Sequence, residues 1–218
     1  MSVVAAVLVS LLSPQLVLSE GRQARVEGEK VKITVEVDEV PDVKEWAEKA
    51  RDLCEKWYPI IAETLAGKDF TPPREVRIVF KDEKKGIAYT SGAKITVVAD
   101  WIRKHPEDFG MVVHELCHVV QSYSKGVGWI TEGIADYVRY FKYEPKPTPP
   151  KVGAKAKYTD GYKTSATFLA WIEKNKDKDV IRKLNDLMRK GGYKPELFQE
   201  WTGSDLDTLW KEFLAAQG

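Results

Sequence analysis

Val31, Ile33, Val35 and Val37 alternate with Lys32, Thr34, Glu36 and Asp38, the period of two expected of a half-buried strand. From Val43 to about Leu65 the spacing changes. Val43, Trp46, Ala47, Ala50, Leu53, Cys54, Trp57, Ile60 and Ile61 recur at three and four residues, which predicts a long helix with a kink or break at Pro59. Alternation returns over Glu75 to Phe80, with Val76, Ile78 and Phe80 on one face. Beyond the charged turn 81–85, two short strands are expected at Ile87 to Thr90 and Lys94 to Ala99, with Ser91-Gly92 as a hairpin turn.

After Pro106 the pattern is helical, with apolar residues at three-four spacing in 107–124, 129–141, 160–174, 178–190 and 205–215. Strands early and helices late predict an α+β fold and argue against a doubly wound sheet of regular βαβ units. The expected architecture is a small mixed sheet with helices at the N-terminal end, a helical C-terminal subdomain, and a cleft between them. Residues 20–218 are read as one domain, 20–124 carrying the sheet and motif helix and 125–218 the helical half. Ser204 with Asp207 reads as a capping box for the last helix. The proline- and lysine-rich segment 142–157 reads as a solvated connector.

Composition narrows the class. Hydrophobic residues make up 43% of 218, enough for one substantial core, so disorder is excluded. A net charge of +1 gives no electrostatic reason to expect nucleic acid or an anionic membrane as partner. With Cys54 and Cys117 the only cysteines, no disulfide framework is available, and both are expected as core residues rather than as a pair. Residues 1–19 carry no charged side chain, and their apolar run is too short to span a bilayer comfortably. Val17 and Ser19 suit positions −3 and −1 of a cleavage site before Glu20, so this segment reads as a signal peptide, although it lacks a basic n-region. The expectation is an exported protein, secreted or periplasmic according to the cell envelope, with no stable membrane association after processing.

The chemistry is concentrated at residues 114–118, His-Glu-Leu-Cys-His. Histidines four apart project from one helix face toward a single point, the arrangement for a shared metal ion, and Glu115 beside them can reach a water at that metal. The surrounding helix is apolar, so the three polar groups need partners. His105 precedes the motif too closely to fold back, which makes a carboxylate the expected third ligand. Glu132 and Asp136 lie on one face of the next helix at i,i+4. One can bind the metal while the other orients a ligand histidine; Glu132 is taken as the ligand and Asp136 as the orienting group, with the reverse left open. Gln121 and Ser124 stand where a metzincin site would have glycine and a third histidine, so that arrangement is excluded. Two histidines from one helix and a glutamate from the next follow a thermolysin-like logic.

HELCH, followed by EGIADYVRY and then YTDGYKTSATFLAWIE, resembles the basic secretory protein family of plants and bacteria, regarded as secreted zinc metallopeptidases. The resemblance runs from about Val31 to Phe213. It implies a zincin-like fold, one zinc ion, peptidase activity, and His114, Glu115 and His118 in the usual roles. The expected reaction is peptide-bond hydrolysis by a monomer acting on protein or peptide, with Glu115 as general base. Strand 86–90 or 94–99 is expected to hold an extended peptide by main-chain pairing. The segment 158–162 is expected to supply the oxyanion donor, from Tyr158 or Tyr162, the alternative being that both tyrosines only pack. Two rival readings are a zincin scaffold retained as an inactive binding or inhibitory module, and a zinc hydrolase acting on cell-wall peptides.

Overall fold

The computed structural model describes residues 30–65, 67, 69–146, 148, 150–153 and 155–217; the expected signal peptide lies outside them. Four strands form a mixed sheet in the order β1-β2-β4-β3, where β1 is Lys32–Glu36, β2 Glu75–Lys81, β3 Ala88–Ser91 and β4 Lys94–Val98. β1 and β4 run parallel to β2, and β3 returns antiparallel to β4 through the tight turn Gly92-Ala93, one residue beyond the expected Ser91-Gly92. A parallel neighbour requires a crossover, and helix α1 (Lys44–Leu65) supplies it between β1 and β2. β4, with Ile95 to Val98 all buried, lies inside the sheet, whereas β3 alternates half-buried and exposed residues at an edge.

Among the described residues seven further helices follow: α2 (Ala99–Lys104), α3 (Gly110–Gln121), α4 (Gly128–Tyr137), α5 (Tyr162–Asn175), α6 (Val180–Arg189), α7 (Leu197–Thr202) and α8 (Leu206–Ala215). The fold is therefore α+β, as the pattern predicted. No helix among the described residues is long and apolar enough to cross a membrane.

Four local expectations are corrected. α1 continues through Pro59 instead of breaking there. The hydrogen bond that proline removes belongs to the carbonyl of Glu55, an exposed position where water can replace it, while Ala47, Ala50, Cys54, Tyr58, Ile61 and Leu65 bury one continuous stripe. The last helix is capped by Asp205, whose carboxylate accepts from the Thr208 amide at 2.7 Å; Ser204 is held by Thr202 instead. α2 was not expected because it follows β4 with no intervening turn, and α7 because a six-residue helix burying only Phe198 has no readable period. Finally, β4 is paired on both sides, so of the two candidate strands only β3 has an edge free for another chain.

α1 and α3 pack on the sheet and on each other, and α4 lies between α3 and α5. Gly133 permits the α4–α5 approach: a Cβ there would stand 2.8 Å from the Ser165 side chain and 3.2 Å from Leu169. The N-terminus of α3 is fixed by Asp108, which accepts from the Met111 amide (3.2 Å), from Trp101 Nε1 of α2 (3.0 Å) and from Arg139 (2.6 Å). Its C-terminus stops at Ser122 in the left-handed region, φ +48°. The nearly buried Arg189 of α6 donates to the carbonyls of Val120 and Gln121 at that end and to Leu65 at the end of α1, over 3.1–3.2 Å. A cation there satisfies orphan carbonyls and opposes the helix dipole of both elements.

Candidate active site

α3 is buried along nearly its whole length, and its few polar groups all face one wall. His114 and His118, one turn apart, bring their Nε2 atoms to 3.1 Å from each other. From α4, Glu132 places Oε2 3.2 Å from His114 Nε2 and 3.6 Å from His118 Nε2. Asp136, one turn further along α4 and buried, sits behind His114 with Oδ1 2.7 Å from Nδ1. The structure therefore places Glu132 toward the gap between the histidines and Asp136 on the far side of the first.

The hydrogen bonds around these rings fix their tautomers. The Gln121 amide donates from Nε2 to the Thr131 carbonyl at 2.9 Å, so its Oε1 faces His118 Nδ1 at 2.7 Å as an acceptor. Nδ1 of His118 must then carry the proton, and Nδ1 of His114 carries one toward the Asp136 carboxylate. When both rings are neutral, their Nε2 atoms are left as lone pairs, facing each other and a carboxylate oxygen. Three acceptors at 3.1–3.6 Å repel unless a proton or a metal ion lies among them. Ligand atoms about 2.0–2.1 Å from a tetrahedral ion stand roughly 3.3–3.4 Å apart, and these separations bracket that span. His114, His118 and Glu132 form a cluster that could hold a metal ion.

Without a metal, a proton on His114 Nε2 answers the same need. Burial disfavours a charged His114, but hydrogen bonds with Asp136 and Glu132 and the nearby carboxylate charges outweigh it and raise its pKa from 6.5 to about 9. Burial likewise opposes ionisation of Glu132, yet the two histidines lower its pKa to about 2. The pocket favours a carboxylate with positive charge beside it.

These residues line a cleft of about 1100 Å³ bounded by β3, α3, α4 and the start of α5. Glu115 is buried in its wall, and its Oε2 accepts from Thr90 Oγ1 of β3 at 2.7 Å. Among the described residues, Ile87, Tyr89 and Tyr162 are exposed large apolar or aromatic side chains that line the cleft; Ile60 is exposed elsewhere. The two candidate tyrosines part company. Tyr158 packs against Trp129, Phe168 and Trp210 with ring centres 5.3–6.1 Å apart, and it is not a lining residue. Tyr162 is 59% exposed at the cleft, its ring stacked 6.3 Å from that of His114. It holds φ +47°, a left-handed conformation strained for a bulky residue, directly after Gly161 at φ +79°. The Glu132 charge, with burial and the charges of Asp136 and Glu115, pushes its phenol above 10, which keeps it a proton donor.

Comparison with known proteins decides the kinship. The family described as Peptidase of plants and bacteria matches residues 43–213, a span containing every residue of this site. The chain belongs to this family. The resemblance read from HELCH, EGIADYVRY and the YTDGY segment is thereby borne out, and the peptidase family supplies the general class of activity. No curated protein and no solved structure matches the chain.

In this peptidase-family member, several residues at the site were not assigned a role from sequence. Gln121 entered only as the residue excluding a metzincin pattern, yet it holds His118; its place three residues after a histidine on the same helix was the available signal. Tyr140, in the single-turn π-helix Val138–Tyr143 that continues α4, lines the cleft with Lys163 4.1 Å above its ring. Thr90 carried no local signal, since its contact with Glu115 spans 25 residues.

Proposed function

We propose that this chain is an exported zinc endopeptidase, acting as a monomer on protein or peptide, with His114, His118 and Glu132 as metal ligands and Glu115 as general base. The convergence of three metal-ligand atoms beside a buried glutamate, on the wall of an open cleft, carries this reading. A zinc ion there would supply Lewis-acid polarisation of a peptide carbonyl and of water. Asp136 and Gln121 hold the two imidazoles in the tautomers that leave Nε2 free. Glu115 has one oxygen engaged by Thr90, while Oε1 accepts no hydrogen bond from a described residue. That oxygen takes the proton of the attacking water and delivers it to the leaving nitrogen.

β3 supports the choice of an extended substrate. The Val98 amide donates to the Ile87 carbonyl at 2.9 Å, which makes 87/98 a hydrogen-bonded pair. Alternation along an antiparallel ladder makes 89/96 and 91/94 the next such pairs, so the main-chain groups of Ala88 and Thr90 face the open edge. A peptide laid along that edge would pair with them while Ile87, Tyr89 and Tyr162 take up its side chains. Tyr162, rather than Tyr158, is positioned to donate to the oxygen that gains charge. A metal-site helix beside the antiparallel edge of a small mixed sheet supports a zincin-like reading of the fold.

The test is hydrolysis of casein by residues 20–218 with zinc supplied, beside a chelated sample and Glu115→Gln. Cleavage by wild type that is lost in both controls is the expected result. One zinc bound with no cleavage of casein would overturn the general endopeptidase reading.

A further inference from the structure

Thr90 occupies a position that the peptidase reading does not assign. Its side chain is half-buried on the face of β3 turned toward α3, and Oγ1 lies 2.7 Å from Glu115 Oε2 and 3.0 Å from the Glu115 carbonyl oxygen. A hydroxyl has one proton, and the side-chain oxygen at the shorter distance is the acceptor that takes it. The main-chain N–H and C=O of the same residue face the open edge of β3. Thr90 thus touches the carboxylate through its side chain and presents its backbone where a substrate strand would pair.

We infer that Thr90 is a positioning residue: its hydroxyl pins Oε2 of Glu115, directs Oε1 at the reacting water, and ties that carboxylate to the strand on which the substrate lies. The inference rests on the peptidase reading above. Glu115 otherwise has freedom that burial alone does not remove, since a glutamate has three side-chain torsions and its carboxylate can rotate to exchange oxygens. A hydroxyl donor removes that exchange without taking the proton-accepting oxygen. Because the donor sits on β3, any shift of the strand when peptide binds moves Glu115 with it, so docking and proton transfer share one mechanical link.

The experiment compares Thr90→Val and Thr90→Ser with wild type, measuring kcat and KM separately on one peptide, together with zinc content and thermal midpoint. Valine keeps the shape and loses the donor; serine keeps the donor. Thr90→Val is expected to lower kcat by about 10- to 100-fold, as misplacing a reacting group does, with zinc content unchanged. Its KM stays within about twofold, and Thr90→Ser stays within about threefold of wild-type kcat. Infrared difference spectra of the metal-free protein, wild type minus Glu115→Gln, give the Glu115 carboxylate band, which Thr90→Val displaces and Thr90→Ser does not. An unmoved band, an unchanged kcat in Thr90→Val, or an equal loss in both variants overturns the proposal. Wild type that cleaves no peptide overturns the peptidase reading and the catalytic role together; active wild type with an equally active Thr90→Val overturns the role alone.

Discussion

Tyr158 and Tyr162 begin and end one short stretch of chain, and they belong to two differently built regions. Tyr158 lies in an aromatic nest with Trp129, Phe168 and Trp210, and Phe168 also contacts Phe213, where stability comes from burial and ring packing. Tyr162 stands at the cleft with a strained backbone angle of its own, beside His114 and His118, which Asp136 and Gln121 hold by hydrogen bonds. The nest needs only apolar groups of suitable size. The cleft needs particular atoms in particular protonation states, and its acceptors are compatible only with a cation among them. Stability and function should therefore respond separately to substitutions in the two regions.

The sharpest break sets Glu115→Gln against Phe168→Ala. The first should lower kcat about 10²- to 10⁴-fold at nearly unchanged thermal midpoint. The second should destabilise by about 3–5 kcal/mol in urea unfolding while the folded fraction keeps its turnover. Within the tyrosine pair, Tyr162→Phe should cost about 10²-fold in kcat, whereas Tyr158→Phe, which keeps the ring, should leave kcat within a few-fold in the same assay. Smaller again is Gln121→Leu. With no acceptor to hold His118 Nδ1–H, zinc affinity measured by competition with a chelating dye should fall about 10- to 100-fold.

The remaining contrast is the pH dependence of the metal-free chain. His114 rises from 6.5 to about 9 on folding, so its stabilisation is complete below 6.5 and is lost as pH climbs through 9. Glu132 falls from 4.5 to about 2, so its contribution is complete above 4.5 and is lost as pH drops through 2. Urea unfolding of chelated protein should show this cluster contributing most between pH 4.5 and 6.5 and declining toward 9. Saturating zinc should abolish the alkaline decline, because the proton whose loss drives it is no longer bound.

What the sequence made legible was local. Period two marked β1 and β2, three-four spacing marked α1 and five of the seven later helices, and HELCH with Glu132 and Asp136 named the residues that the structure brings together. Spacing could not choose between Glu132 and Asp136, because both share a helix face; the choice depends on how α4 is rotated against α3, which only tertiary packing sets. Thr90 was illegible for the same reason. Pro59 misled because a proline's cost depends on whether the carbonyl it orphans meets water, and exposure is a property of the fold.

Arg189 makes the centre depend on a late part of the chain. Both histidines and both α4 carboxylates are encoded by residue 136, so a chain under synthesis carries them all long before it is finished. Yet the carbonyl ends of α1 and α3 wait for a guanidinium encoded more than fifty residues later, and α4 waits for α5 to close against Gly133. A chain truncated before Arg189 would hold the ligands without the clamp that closes the end of the histidine helix.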